Sequence, residues 1–271
     1  VTAEVVGDID NNNIIIATTR TSVSSPTSLV DTAAPVLLSV SVDKNNLKIG
    51  ELATYTLTFS EDPGNSLSVD DFTVATDTNG VAIGTITVLS GSGAVRTLLF
   101  QPTANTNNAA VALQLKPNSF SDAVNNMGSI DASVLWPALT IDTIAPFETG
   151  ITISGVNGLT QAAIKPTDTM VVGDIIQVSM DMSEQVSVSD LPSFTINVGG
   201  VLKSAVYDRS KSSSNKLVFT YTLAPGDADT SGGITAAPNS LNLNTVARIV
   251  DSAGNDVSLA TREVIAGSNT L

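Results

Sequence analysis

The chain has 271 residues, 42% of them apolar and only 14% charged, and its formal net charge is −14 at neutral pH. So acidic a chain is a poor partner for nucleic acid and for anionic membrane surfaces, and a good one for divalent cations. It contains no Cys and no His, which excludes thiol nucleophiles, Ser-His catalysis, His-ligated zinc and haem. It also has no run of about 18 apolar residues with which a helix could span a membrane.

The length suits two domains of ordinary size. Thr, Ser, Val, Asn and Gly are abundant, and no segment sustains the i, i+3, i+4, i+7 apolar spacing of a helix. An all-β fold follows. Val1 is not an initiator Met, so processing or excision from a longer chain is expected.

Residues 1–30 are too short for a domain. They read as strand, Asn-rich turn, strand, then a Ser/Thr stretch, and such a piece must lie on another domain of its own chain or of a neighbour. Asp8, Asp10 and Asn12 have the first ligand spacings of an EF-hand-type calcium loop. Asn13 and Thr19 stand where that loop wants Gly and a bidentate carboxylate, so a plain Asn-rich turn is the preferred reading.

Asp31-Thr-Ala-Ala-Pro35 follows, and the motif returns as Asp142-Thr-Ile-Ala-Pro146. Asp-Thr forms turns and Pro is barred from central strands, so each copy marks a joint between β-domains. Domain one, residues 31–141, reads as strands at 36–42, 53–59, 72–75, 82–89, 95–101, 110–115 and 134–141, with a turn at 43–50. Ala53, Tyr55, Leu57 and Phe59 alternate onto one face. Domain two, residues 142–271, repeats the order with strands at 151–156, 175–182, 194–198, 201–207 and 216–223. Within it Gly199-Gly200 signals a hairpin. A segment 239–250 and a last strand near 259–265 complete it. Seven or so short strands with turns between them indicate an immunoglobulin-like sandwich in each half.

The repeat lies in spacing as well as wording. Gly50 stands as far ahead of Glu61 as Gly173 does of Glu184. Pro117-Asn-Ser-Phe answers Pro238-Asn-Ser-Leu, and Asp122…Asn126 answers Asp251…Asn255. These motifs resemble the tandem bacterial immunoglobulin-like repeats of large cell-surface adhesins and related surface-assembly proteins. Such repeats begin Asp-Thr-x-Ala-Pro, carry a strand ending Phe-Ser-Glu, and finish Asp-x-Ala-Gly-Asn. Domain two matches more closely, with Met182-Ser183-Glu184, Pro225-Gly-Asp227-Ala-Asp229 and Asp251-Ser-Ala-Gly-Asn255. Domain one keeps Phe59-Ser60-Glu61 but has Asp122-Ala-Val-Asn-Asn126. The resemblance covers residues 31–271. It implies a secreted or cell-surface protein, with calcium at domain joints in many members.

Topology leads to the same place by itself. In a seven-stranded sandwich the start of the first strand, the end of the second and the last interstrand loop share one pole. Asp31, Glu61, Asp122 and Asn126 therefore converge, as do Asp142, Glu184, Asp251 and Asn255. Three carboxylates at one pole repel one another, and calcium, with six to eight oxygen ligands in flexible geometry, relieves this better than magnesium. The alternative is that these residues only cap turns. Asp227 and Asp229 are weaker candidates for an ion. The lone Trp136 is expected to be partly buried, a sugar-stacking role being the other option.

The expected function is structural and adhesive: calcium-stiffened Ig-like spacers whose partners are neighbouring Ig-like domains or identical subunits. One alternative is a filament or S-layer-like lattice built by strand donation from residues 1–30. Another is a carbohydrate-binding surface module, against which stand the 4% aromatic content and the lack of an aromatic cluster. Catalysis is not expected, because the carboxylates recur at joint positions.

Overall fold

The structure is a computed structural model that describes residues 4–9, 15–20, 30–165, 168–228, 233–261 and 264–265. The fold is all-β, as the sequence predicts. β1 (Glu4–Ile9) and β2 (Ile15–Arg20) form a two-stranded antiparallel sheet of their own. Asp10, Asn12 and Asn13 of the calcium-loop pattern lie outside the described residues, as does Asp229.

Next come β3 (Val36–Val42), β4 (Asn46–Leu47), β5 (Ala53–Phe59), β6 (Phe72–Val74), β7 (Gly84–Ser90), β8 (Val95–Pro102), β9 (Asn107–Val111), β10 (Leu113–Leu115), β11 (Ser129–Ile130) and β12 (Ala138–Asp142). One sheet runs β11-β3-β5-β8-β7; facing it are β4-β12-β9 and β10-β6. The alternation in β5 places Ala53, Tyr55, Leu57 and Phe59 inside. They close on Leu37, Leu98, Phe100, Leu113, Phe120 and Leu139 in one hydrophobic cluster.

Several boundaries differ from the sequence reading, and each has a cause. The last strand of this half starts at Ala138 rather than 134. Pro137 cannot donate to a ladder, and Trp136 turns inward against Tyr55 and Phe72, with ring centroids 6.5 and 6.4 Å away. The expected turn at 43–50 contains β4, which pairs parallel with β12. The expected strand at 110–115 breaks at Ala112, where its pairing changes from β12 to β6.

The second half contains β13 (Glu148–Val156), β14 (Ala163–Ile164), β15 (Ile175–Met182), β16 (Ser187–Ser189), β17 (Ser193–Val198), β18 (Val201–Tyr207), β19 (Lys216–Thr222), β20 (Ile234–Ala236), β21 (Leu241–Asn242), β22 (Arg248–Val250) and β23 (Val264–Ile265). Its main sheet runs β14-β13-β15-β19-β18-β17-β20-β23, with β21 also on β17 and β16-β22 beside it. Gly199 and Gly200 take φ of 56° and 93°, the pair of positive values that a tight hairpin between β17 and β18 requires. Ile176, Val178, Met180, Phe194, Ile196 and Phe219 are buried in a second hydrophobic cluster, which shares no member with the first. The long segment 239–250 forms strand only at β21 and β22, and among the described residues of 259–265 strand is found at β23.

Candidate metal centre

The antiparallel pairing of β3 with β5 sets Leu37 opposite Phe59, and that of β13 with β15 sets Glu148 opposite Met182. Each Ser-Glu pair therefore emerges beside the start of its unit. A serine staples the corner in both places. Val36 N–H donates to Ser60 Oγ at 2.9 Å and Phe147 N–H to Ser183 Oγ at 3.0 Å, while the serine N–H groups donate back to Val36 O and Phe147 O. In the sequence Ser60 and Ser183 stand only as members of the Ser-Glu motif, with nothing to mark this role.

The closing loops share their principal hydrogen bonds. Asn126 N–H donates to Asp122 Oδ1 at 2.8 Å and Asn126 Nδ2 to Asp122 Oδ2 at 2.8 Å; Asn255 makes the same two bonds to Asp251, also at 2.8 Å. Asn126 Nδ2 further reaches Asp31 O, as Asn255 Nδ2 reaches Asp142 O. Both loops need one left-handed residue, supplied by Asn125 (φ 71°) and Gly254 (φ 88°). Asn substitutes for Gly because its short polar side chain tolerates that region.

Two clusters result: Asp31, Glu61 and Asp122; and Asp142, Glu184 and Asp251. In each, one carboxylate oxygen per residue lies within 4.8 Å of the others. All six carboxylates singled out from sequence are thus brought together in the expected threes. Asp122 and Asp251 are buried. The side-chain nitrogens of Asn126 and Asn255 donate to the loop aspartates and so hold the loop in shape.

The electrostatics follow from crowding. Desolvation first, then Asp251 and Asp142, raise Glu184 above its ordinary value of 4.5; desolvation, Asp31 and Asp122 do the same to Glu61. Asp122 moves the other way. Desolvation opposes its ionisation, but donated bonds from Asn126, Val124 and Asn125 hold it below its ordinary value of 3.8. The first triad thus pairs an aspartate stabilised by donated hydrogen bonds with a glutamate that ionises reluctantly, and Glu184 in the second ionises reluctantly as well.

Among the described residues, the second cluster has neighbours that the first lacks. Asp142 is the last residue of β12, paired with Asn107, yet it belongs to the cluster of the following unit. Thr143 next to it is buried and fixed to the preceding unit through Thr103 O and Thr106. Across the joint, Ile49 N–H donates to Asn255 Oδ1 at 2.8 Å and Lys48 Nζ to Gly254 O at 3.0 Å. Neither Lys48 nor Ile49 is legible as a contact in the sequence, because nothing in an exposed turn marks one. A cleft of about 460 Å3, bounded by Leu47, Thr140, Asp142 and Ser252, lies alongside.

Residues 31–136 match a bacterial Ig-like domain. The bacterial Ig-like match agrees with the Asp31 and Phe59-Ser60-Glu61 motifs and with the observed strand pairing. Such domains occur in surface proteins, are typically non-catalytic and suit protein–protein contact, which points to an extracellular or surface protein. No curated protein matches the chain. No helix among the described residues is long and apolar enough to cross a membrane.

Other candidates have different employment. Asp227 is ion-paired to Lys203 Nζ at 2.7 Å and accepts from Tyr221 Oη and Ala224 N–H, both at 2.8 Å. Those donors, outweighing desolvation, hold it below its ordinary value and leave it a turn anchor. The indole of Trp136 is committed to the first core rather than to a sugar platform.

Proposed function

We propose that the chain is an extracellular structural protein of two Ig-like units, residues 31–141 and 142–271, whose joint is stiffened by calcium. The observation that supports it best is the double membership of Asp142. It ends β12 of one unit and shares an oxygen cluster with Glu184 and Asp251 of the next. An ion there would tie both units at one point. The donor set is all carboxylate, hard and negatively charged, in a chain without His or Cys; this fits calcium, which accepts six to eight oxygens from side chains, backbone and water. The first cluster, at the leading end, offers a second ion the same three carboxylates. Isothermal titration with calcium tests the reading. Heat from two sites is expected, with the Asp142 site lost or weakened at least about tenfold in D251N because ligand charge sets affinity. Absence of heat in the wild-type chain would refute it.

A second reading, strand donation by residues 1–30, draws on one observation: β1 and β2 pair only with each other among the described residues. A two-stranded sheet alone is marginal in water, so these strands would gain from the sheet edge of another subunit. Deleting residues 1–30 tests it; unchanged assembly after the deletion excludes strand donation.

A further inference from the structure

Both halves of the internal joint are present twice. The donor half is the turn Lys48–Glu51, in which Glu51 N–H bonds Lys48 O, Glu51 Oε2 caps the Lys48 N–H, and Gly50 has φ of 77°. Val171–Asp174 repeats it. Asp174 N–H bonds Val171 O, Asp174 Oδ2 caps the Val171 N–H, and Gly173 has φ of 96°. The acceptor half is the loop Asp251–Asn255, whose main bonds recur in Asp122–Asn126: the two aspartate–asparagine side-chain bonds, the backbone pair closing the loop, and the Asn Nδ2 bond to the unit's first carbonyl.

Inside the chain the first donor turn sits on the second acceptor loop. One of each remains. Val172 N–H, the counterpart of the Ile49 N–H, makes no hydrogen bond among the described residues, and neither does Asn126 Oδ1, the counterpart of the oxygen that receives it. The two free faces are also more apolar than the joined ones. Val171 stands for Lys48 and Val124 for Ala253, and Val171, Val172 and Val124 are 60%, 58% and 55% exposed. Within one chain the covalent link holds the halves together, so polar contacts suffice. Between chains apolar area must contribute. Asn125 in place of Gly254 is no obstacle, since a Cβ at Gly254 meets only Lys48, at 3.5 Å or more.

We propose that copies of this chain dock head to tail, with the Val171–Gly173 turn of one seated on the Asp122–Asn126 loop of the next and Val172 N–H bonded to Asn126 Oδ1. The contact joins two different patches, so it repeats into an open chain unless the rotation closes a ring. It stands on hydrogen-bond geometry and goes beyond the cation reading. The patch is small, so the association is weak and concentration-dependent.

Sedimentation velocity of the full chain in calcium, raised to about 1 mM, where contacts of millimolar Kd are populated, tests it. The sedimentation coefficient of the wild type is expected to climb with concentration. Val172→Glu, which sets a carboxylate against the acidic loop, and Val124→Glu on the opposite face should each abolish the climb. An equal mixture of the two retains one good head and one good tail, and should give dimers and nothing larger. Calcium titration of V172E should match the wild type, which separates lost docking from a lost ion. A concentration-independent wild type, a variant that associates like it, or a mixture that stays monomeric would each overturn the proposal.

Discussion

At the residue scale, the joint turns on what each carboxylate and amide is bonded to. Asn255 is 2% exposed and uses its whole side chain: Nδ2 on Asp251 and Asp142, Oδ1 on Ile49. Asn255→Ala removes no carboxylate yet releases the loop, and loss of such an orienting partner typically costs about 10–100-fold in metal affinity. Calorimetry on N255A should show that drop with the ion-to-chain ratio unchanged. Protons supply a second check. Glu184 and Glu61 are raised in the folded chain, so their protonated forms favour folding; stability from this source is present below the ordinary glutamate value and lost as pH climbs through the raised one. The lowered aspartates, Asp122 among them, act in a lower window and with opposite sign, losing stability as pH falls through their folded values. Melting in chelator should therefore weaken as pH rises just above the glutamate range, and calcium should remove that weakening. The six carboxylates were legible in the sequence because strand order alone puts the three ends at one pole. The roles of the asparagines were not, since an amide can offer either its oxygen or its nitrogen and sequence does not say which faces the cluster.

At the element scale, alternation carried most of the information. β5 and β15 bury the side chains their patterns dictate, and Gly199-Gly200 makes the turn that its composition demands. What sequence did not show was pairing that depends on distant partners: β4 hidden in a turn, and the change of sheet at Ala112. The Lys203–Asp227–Tyr221 group is likewise set by tertiary packing, because Lys203 on β18 meets a turn beyond β19. Asp227→Ala leaves Tyr221 and the Ala224 N–H without their acceptor, and should cost about 1–3 kcal/mol by chemical denaturation. Gly84 on β7 lies against the Phe100 ring and Gln101 O, with no room for a Cβ. Gly84→Ala should cost about 1–3 kcal/mol through overpacking, and denaturation in which the first unit melts early would report it.

At the scale of the whole molecule, the two cores are separate and the joint between them is short. The chain leaves one unit at Asp142 and enters the next at Glu148. Thr143 anchors the connection on one side, and Ile49 and Lys48 bridge it on the other. Two hydrogen bonds at a partly exposed surface are weak restraints alone, each contributing about 0.5–1.5 kcal/mol. Three carboxylates at the pivot also repel one another until a cation joins them. Under the proposed function, an ion bound at this pivot turns a hinge into a rigid joint. The chain has no cysteine, so one spin label per unit can be placed without background, at Val88→Cys on β7 and Leu202→Cys on β18, both exposed positions. The most direct test is the distribution of distances between those labels by pulsed electron spin resonance, in calcium and then in excess chelator. A narrow distribution in calcium that broadens in chelator, and stays broad in D251N whatever the calcium, is the expected result. The same width in calcium and in chelator would contradict the cation-stiffened joint.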